Sequence, residues 1–420
     1  MKKIQLLNAV IYSLLLAFST TVHSQNRCKT PELMQELISS TPELQGKIAA
    51  SELKIENWTK TQKTAKVASV LTVPVVVHVL YRNAAQNISD AQIQLQLDIL
   101  NSDYRKRNYD TTGIPTAFKS LAVDCEIDFC LAKRDPLGNP TNGITRKAIT
   151  IKEIGNTNKY FKSNLGGQDI WNRDYYLNFW VCEIDSMGGI LGYSTVPSFN
   201  PSASSDGVVI DYRYFGTSSN SHYNKGRTAT HEVGHWFDLQ HIWGDDFGAC
   251  SNDDFVSDTP IQGAEHYGMP AFPSLDVCST TFPGTMFMNY MDYTDDSGMH
   301  MFTLGQKTRM WAALSTTLRD SLFASKGCVP VGIDENNGSS ELNIRPNPST
   351  GSFNFSLQLK KAEAITIQIF DLAGHMLLQK NYLPQYYLNE NIDLAEFANG
   401  CYIARIIYNT NTLNKKLVKN

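Results

Sequence analysis

The segment at residues 231–235 (HEVGH) constrains this 420-residue chain more than any other feature, because its spacing is meaningful only on a helix. Residues four apart share one helical face, so His231 and His235 can hold one metal ion. Glu232 lies between them, where a carboxylate can accept a proton from a water that zinc acidifies to a pKa of about 7. His241 cannot share that face, so the chain must turn sharply to supply it as a third ligand. Three protein ligands leave one coordination position open, which is typical of catalytic zinc.

The first 24 residues have the features of an export signal. Lys2 and Lys3 precede an apolar run that reaches Phe18, and small residues then lead to Ser24. This order is typical of a secretory signal peptide, and the run is too short and too interrupted for a membrane span. No other stretch approaches the about 20 apolar residues that a span needs. The sequence therefore predicts a secreted protein whose mature form has no integral membrane segment.

Charge is unevenly distributed, although the formal total is only -4. The signal carries +2 and residues 342–420 carry +3, which leaves -9 for residues 25–341. An acidic body in a nearly neutral chain does not favour nucleic acid as a partner.

Hydrophobic patterning divides the exported chain into segments. Residues 25–70 are polar and helix-prone, which indicates a propeptide. Residues 71–330 interleave predicted strands with two predicted helices, one capped by Ser89 and one at about 228–239. This order predicts an α/β (α+β) catalytic domain with a twisted sheet and a metal-binding helix. The predicted strands lie at 73–81, 125–131, 177–184 and 208–212.

A polar linker at residues 331–341 precedes a different kind of domain. Residues 342–420 contain short strand patterns separated by turn residues, which predicts a small all-β sandwich. Two of those strand patterns lie at 352–358 and 365–371.

The spacing from His231 to His241 resembles the metzincin zinc signature HExxHxxGxxH, and the surrounding residues are similar to the pappalysin (ulilysin-like) branch. The resemblance implies a zinc endopeptidase with a metzincin-like fold, with Glu232 as general base. One position departs from the pattern, because Asp238 stands where the family has a glycine. The sharp turn there is expected to require a positive φ, and Asp is among the residues that tolerate it best after Gly.

A second match to the metzincin pattern lies at residues 288–293 (MNYMDY). Met291 resembles the methionine of the Met-turn, which forms an apolar floor beneath the zinc site. Tyr293 resembles the family tyrosine near the metal, whose hydroxyl can hydrogen-bond a developing oxyanion. The alternative is that Tyr293 only lines the cleft. Metzincins bind peptide along a sheet edge, and residues 188–193 are either that edge or a plain glycine-rich turn.

Two aspartates, Asp295 and Asp296, follow the Met-turn. In the pappalysin branch an acid near the primed-side pocket is associated with cleavage before Arg or Lys. The resemblance thus implies a preference for basic side chains. Alternatively, both aspartates are solvated loop charges.

An acidic loop follows the zinc helix. Oxygen ligands at this density suit Ca²⁺, and the ulilysin-like branch carries calcium in this region, although no EF-hand spacing is present. The alternative is an acidic surface loop without metal. The predicted calcium ligands are Asp253, Asp254, Asp258 and Thr259, with Asp245, Asp246 and Asn252 nearby.

Eight cysteines fit an exported chain. Cys250 and Cys278 bracket the acidic loop and are predicted to pair. Cys125 and Cys130 would lie about 16 Å apart on one strand, beyond the about 7 Å limit for a disulfide, so both should find partners elsewhere, with Cys182 and Cys328 available. Cys28 resembles the switch cysteine of metzincin proenzymes, whose thiolate fills the open zinc position until the propeptide is cut. The alternative is an ordinary disulfide cysteine.

Residues 342–420 resemble, in order and along their whole length, the C-terminal sorting domain of type IX secretion cargo. The resemblance implies that the secretion machinery is a partner and that the protein crosses an outer membrane, to be released or attached to the cell surface. A carbohydrate-binding or adhesive sandwich is the alternative. The quoted motifs are LNIRPNPSTG at 342–351, IFDLAG at 369–374, NGCY at 399–402 and KKLVK at 415–419.

The sequence thus predicts a secreted or surface-attached zinc endopeptidase that acts on proteins or peptides and is made as a self-inhibited zymogen. Zn²⁺ is its predicted catalytic cofactor and Ca²⁺ a structural one. The competing class is a non-catalytic secreted or surface binding protein with a structural zinc site. The intact Glu232 argues against that class.

Overall fold

The computed structural model divides the chain into two compact units, Met1–Pro330 and Val331–Asn420. No helix in the described part of the chain is both long and apolar enough to span a membrane. The signal peptide and nearly all of the predicted linker fall outside the described residues. The structure describes residues 27–61, 70–187, 189–199, 201–245, 248–251, 254–331, 342–409 and 411–420.

A six-stranded mixed sheet organises the first unit. Its strands are β1 (Leu71–Tyr81), β2 (Ile127–Leu131), β3 (Ile144–Ala148), β4 (Leu177–Cys182), β5 (Gly192–Ser194) and β6 (Val208–Asp211). The central strand β1 pairs in parallel with β2, β3 and β4. β6 runs parallel to β4, and β5 closes the edge antiparallel to β6. β1 and β4 are almost wholly buried, as their unbroken apolar sequences predict for central parallel strands.

Five α-helices accompany this sheet in the described part of the unit. They are α1 (Thr30–Ser40), α2 (Leu44–Thr61), α3 (Asp90–Tyr104), α4 (Arg227–Trp236) and α5 (Leu304–Thr316). The Ser89 side chain caps α3 by accepting a hydrogen bond from Gln92 N at 3.1 Å, as the sequence predicts. α3 and α4 contribute to one core with alternate residues of β1, which places α4 against the sheet.

α4 ends at Trp236, three residues before the Leu239 boundary that the sequence predicts. The backbone of Asp238 adopts a φ of +75°, which no α-helix accommodates. The boundary at Leu239 is therefore wrong, whereas the sharp turn and its positive φ are found where the motif requires them.

The C-terminal unit is all-β, as predicted. Its strands are β7 (Leu342–Arg345), β8 (Ser352–Phe370), β9 (Met376–Asp393), β10 (Gly400–Tyr408) and β11 (Asn411–Lys419). They form one antiparallel sheet of order β11-β10-β8-β7, with β9 also paired to β8. The two strands predicted at 352–358 and 365–371 are parts of the single long strand β8. One portion of β8 pairs with β7 and the other with β10, so each portion has its own neighbour.

Two disulfides join Cys250 to Cys278 and Cys130 to Cys328. Cys125 and Cys182 are free, buried thiols, so the expectation of a disulfide for Cys125 is wrong. Cys125 precedes β2 and is completely buried in the main core, where a thiol packs as a small apolar group.

Candidate metal centre and substrate cleft

Three imidazole rings converge on one point. α4 carries His231 and His235, and the turn after it brings back His241. The Nε2 atom of His241 lies 3.2 Å from Nε2 of His231 and 3.1 Å from Nε2 of His235. Nitrogen atoms held about 2.0–2.1 Å from a tetrahedral zinc ion lie about 3.3 Å apart. The spacing therefore fits a zinc ion.

The other ring nitrogen of each histidine donates a hydrogen bond away from this point. His231 Nδ1 bonds the carbonyl oxygen of Tyr290 at 2.7 Å, and His235 Nδ1 bonds that of Leu239 at 2.8 Å. These bonds assign the proton to Nδ1 and leave the Nε2 lone pairs facing each other. Burial lowers the pKa of His231 well below its usual value and that of His235 to about 3. Neutral rings with facing lone pairs need a cation between them.

The third ring has a carboxylate behind it. His241 Nδ1 lies 2.9 Å from Asp245 Oδ1 and 3.0 Å from Oδ2. Trp243 stacks on the same ring, with centroids 4.2 Å apart. Asp245, which the sequence groups with the calcium loop, thus holds a predicted zinc ligand. A carboxylate behind a histidine ligand is a recurrent outer-shell feature, and its position four residues after His241 was a usable signal.

Cys28 is the fourth member of the cluster. Among the described residues, the one group of three or more His, Cys, Asp or Glu side chains able to hold a metal is Cys28 with the three histidines, whose ligand atoms lie within 4.8 Å of one another. Cys28 Sγ lies 3.3 Å from Glu232 Oε2. Burial and the nearby Glu232 raise the pKa of the thiol well above its usual value. A thiolate here therefore requires a bound cation.

Glu232 is fully buried beside the cluster. Burial raises its pKa to about 8, although hydrogen bonds from Cys28 and Thr30 oppose this shift. Its Oε2 accepts from Thr30 Oγ1 at 3.2 Å, while Oε1 has no partner among the protein atoms described. This oxygen keeps its capacity to accept a hydrogen bond from a water or a substrate atom. Thr30, which the sequence did not single out, lies in the segment that the sequence predicts to be a propeptide.

Met291 lies fully buried under α4. A Cβ atom added to Gly234 would lie 2.5 Å from Met291 Sδ. The methionine therefore occupies the space that the glycine in HEVGH leaves open. The role of Met291 as a Met-turn floor stays a prediction.

Tyr293 reaches the same cluster from the predicted Met-turn. Its ring centroid lies 5.6 Å from that of His231 and 5.0 Å from that of His241. Its hydroxyl donates to the main-chain carbonyl of Cys28 at 3.4 Å. The hydroxyl can therefore reach a peptide carbonyl held beside the cluster.

The segment that carries Cys28 pairs with the edge strand. Leu191 N donates to Arg27 O at 2.9 Å, and Lys29 N donates to Gly192 O at 3.1 Å. The bridge between Cys28 and Gly192 is parallel. Residues 27–29 thus act as an added strand beside residues 191–192, within the glycine-rich segment predicted as a peptide-binding edge.

Arg27 fills a pocket next to the cluster, and the sequence did not single it out. Its Nη2 lies 3.2 Å from Asp296 Oδ1, and its Nη1 donates to Thr294 O at 2.7 Å. The guanidinium also lies over the ring of Tyr223, 4.8 Å from its centroid. The only sequence signal was its position directly before Cys28.

The two neighbouring aspartates face different surroundings. Asp296 is fully buried, and its Oδ2 accepts from Lys225 N at 2.8 Å and Arg227 N at 3.2 Å. Asp295 instead contacts the exposed His222, 2.8 Å from Nδ1. Asp296 is therefore the member of the predicted pair that lines the pocket.

The predicted calcium ligands have roles within the protein. Asp258 accepts from Thr303 Oγ1 at 2.7 Å and Gly305 N at 2.9 Å at the start of α5. Asp254 Oδ1 accepts from Thr259 Oγ1 at 2.8 Å. Asp253 lies outside the described residues. Calcium stays a prediction.

The fold and this site together define a metalloendopeptidase. The family model for peptidase family M43, described as pregnancy-associated plasma protein-A, matches residues 161–315. That of a secretion system C-terminal sorting domain matches residues 343–420. The chain belongs to the pappalysin family of zinc endopeptidases and carries a type IX secretion sorting domain.

Relatives agree with this assignment. An extracellular metalloprotease of Arthroderma gypseum is 31% identical over 270 residues, which cover 63% of this chain and 80% of the relative. One from Pyricularia oryzae is 30% identical over 295 residues, covering 69% and 88%. The sorting domain and these extracellular relatives indicate a secreted or cell-surface protein.

Solved structures agree as well. A promirolysin mutant of Tannerella forsythia is 44% identical, with a TM-score of 0.64, over 71% of this chain and 97% of that one. Mature mirolysin of the same organism, in complex with a cleaved peptide, is 50% identical with a TM-score of 0.57, over 61% and 96%.

Proposed function

We propose that His231, His235 and His241 hold the catalytic zinc ion and that Glu232 is the general base. The observation that carries this proposal is the convergence of three Nε2 atoms with every Nδ1 bonded elsewhere. When bound, zinc supplies a Lewis acid that acidifies water and attracts a carbonyl oxygen.

The protein groups then divide the work of hydrolysis. Glu232 accepts a proton from the attacking water while the water oxygen forms a bond to the peptide carbonyl carbon. Glu232 then passes that proton to the leaving nitrogen as the C–N bond breaks. The Tyr293 hydroxyl donates to the carbonyl oxygen as negative charge develops on it. The edge at residues 191–192 aligns the substrate backbone.

The propeptide supplies latency in this proposal, with Cys28 as the switch. We assign residues 25–70 to the propeptide, 71–330 to the catalytic domain and 342–420 to the sorting domain, after a linker at 331–341. Support comes from Cys28 Sγ in the ligand cluster and from the backbone bonds of its neighbours to the edge strand. A peptide that occupies both the metal position and the edge excludes substrate.

The pocket of Asp296 selects a basic residue on the primed side of the cut. The support is Arg27, whose guanidinium already binds there. A buried carboxylate, a carbonyl oxygen and an aromatic face together suit a cationic side chain. Once the propeptide leaves, the Asp296 carboxylate loses its charge partner, which favours substrates that bring an Arg or Lys.

Replacement of the base tests this function. Glu232→Gln should retain bound zinc and lower kcat on an Arg-containing peptide by about 10²–10⁴-fold, the range of general acid–base catalysis. Glu265→Gln, which changes a half-buried carboxylate outside the cluster, should leave both the bound zinc and kcat unchanged. Undiminished hydrolysis by Glu232→Gln would exclude the mechanism, and metal-free protein that still hydrolyses peptide would exclude zinc.

A further inference from the structure

Asp238 departs from the metzincin pattern at the turn that links two predicted zinc ligands. It stands in place of the family glycine with a φ of +75° and no exposed surface. Both features disfavour an aspartate, because a left-handed backbone is strained and a buried carboxylate loses its hydration. The side chain must therefore make compensating contacts.

A buried ion pair supplies those contacts. Asp238 Oδ2 accepts from Arg309 Nη2 at 2.7 Å, and Arg309 Nε donates to the carbonyl oxygen of Asp238 at 2.7 Å. Asp238 Oδ1 accepts from Ser198 N at 2.9 Å. The Arg309 guanidinium on α5 thus binds both the side chain and the main chain of the turn. Ser198, in the loop after β5, binds the other oxygen of the Asp238 carboxylate.

The turn at Asp238 orients the two predicted zinc ligands on either side of it, His235 and His241. Asp238 N donates to His235 O at 2.8 Å, and the next carbonyl, Leu239 O, accepts from His235 Nδ1 at 2.8 Å. His241 follows two residues later. A displacement of residue 238 would therefore rotate the ring of His235 and move the backbone that presents His241.

We propose that Asp238 and Arg309 form a positioning pair that sets the orientation of His235 and His241 toward the metal. The inference rests on the proposed function only in taking these histidines as zinc ligands. The pair replaces the backbone freedom of a glycine with a side-chain anchor. Neither residue touches the reacting atoms.

Propeptide residue Glu52 shares the same guanidinium. Its Oε2 lies 3.0 Å from Arg309 Nη1, and its Oε1 lies 2.8 Å from Nη2. All other contacts of the pair lie within residues 71–330, so they persist when the propeptide leaves. The pair therefore belongs to the mature enzyme. In the zymogen, Glu52 on α2 adds a further contact to the Arg309 guanidinium.

Substitution of Asp238 by glycine distinguishes two possibilities: that Asp238 positions the ligands, or that the turn only accommodates an aspartate. We compare Asp238→Gly, Asp238→Asn, Arg309→Met and the double variant Asp238→Asn/Arg309→Met. The zinc dissociation constant is measured by chelator competition on full chains that also carry Glu232→Ala, so that they do not cut themselves. Kinetics are measured on matured enzymes without that change.

We expect each single variant to bind zinc about 10-fold more weakly, at the low end of the effects seen for outer-shell groups. kcat should fall while KM stays within about twofold, because substrate contacts lie elsewhere. The double variant should match the worse single variant, since one interaction is lost in each. Wild-type zinc affinity in Asp238→Gly, or additive losses in the double variant, would overturn the proposal.

Asp211→Asn is the matched control for general destabilisation. The Asp211 side chain is fully buried and forms an ion pair with Arg213, whose Nε lies 2.7 Å from Asp211 Oδ1. This variant should lower the melting temperature of the metal-free chain without changing zinc affinity. An equal loss of zinc affinity in Asp211→Asn would make the effect non-specific and overturn the proposal. If the unmodified chain binds no zinc, the proposed function fails instead.

Discussion

Arg27 binds Asp296 across 269 residues of sequence, and both side chains are 1% exposed. The contact joins the residue directly before Cys28 to the pocket next to the histidine cluster. One short segment of the proposed propeptide therefore occupies both the proposed metal site and the proposed specificity pocket. Latency and substrate preference should depend on the same carboxylate.

Loss of the pocket carboxylate should remove the basic preference. Breaking a buried ion pair by removing one partner costs about 3–5 kcal/mol, so Asp296→Asn should lower kcat/KM for an Arg-containing peptide by about 100-fold or more. Cleavage of a peptide library, analysed by mass spectrometry, measures the preference. Asp295→Asn, which removes a contact to the exposed His222, is the control and should leave it intact. A retained preference for Arg or Lys in Asp296→Asn would refute the assignment.

Removal of the Cys28 thiol should weaken latency. Without a sulfur ligand, freshly purified full-length Cys28→Ser should hydrolyse peptide at least about 10-fold faster than the wild-type zymogen, because a thiolate is the stronger zinc ligand. A peptide assay beside a gel of the intact chain provides the measurement. Cys401→Ser, in the C-terminal unit, should behave as wild type. Equal latency in Cys28→Ser and wild type would show that the switch lies elsewhere.

An added methyl group at Gly234 should disturb the packing on Met291. Gly234→Ala brings a Cβ within 2.5 Å of Met291 Sδ, and such overpacking costs about 1–3 kcal/mol. Denaturant unfolding should report that loss, and Met291→Ala in the same chain should relieve part of it. Gly46→Ala on α2, where nothing lies within 4 Å of the new Cβ, should be neutral or stabilising by about 0.5–1 kcal/mol. Equal stability of both alanine variants would contradict the packing described.

The contact between His266 and Asp292 should make stability depend on pH. Burial opposes protonation of His266, but the hydrogen bond and charge of Asp292, 2.9 Å away, raise its pKa above 6.5. A raised folded-state pKa stabilises the fold fully below the unfolded pKa of about 6.5, and that stability is lost as pH rises through the folded value. His266→Gln should therefore destabilise the protein more at pH 6 than at pH 9, by chemical denaturation. A pH-independent difference would exclude a charged His266.

Local sequence patterns predict much of the fold. The unbroken apolar run of β1 and the cap at Ser89 concern neighbours in sequence, whose periodicity specifies their structure. The end of α4 was misplaced because apolar residues continue past Trp236, and only the backbone of Asp238 breaks the helix. Cys125 was misassigned because disulfide partners depend on distances across the fold.

By itself, the sequence determined the chemistry of the site: the spacing of His231 and His235 is local, helical geometry converts it into a metal-binding face, and the motif places His241 after the turn as the third histidine. Tertiary structure decided the rest. Asp295 and Asp296 are indistinguishable in sequence, yet a single step along a loop pairs one with the exposed His222 and buries the other against Arg27. In the sequence, Asp238 is only a departure from the motif, and the structure shows that Arg309 forms an ion pair with it. Side-chain direction in loops and contacts between distant residues depend on the packed fold, and local patterns do not encode them.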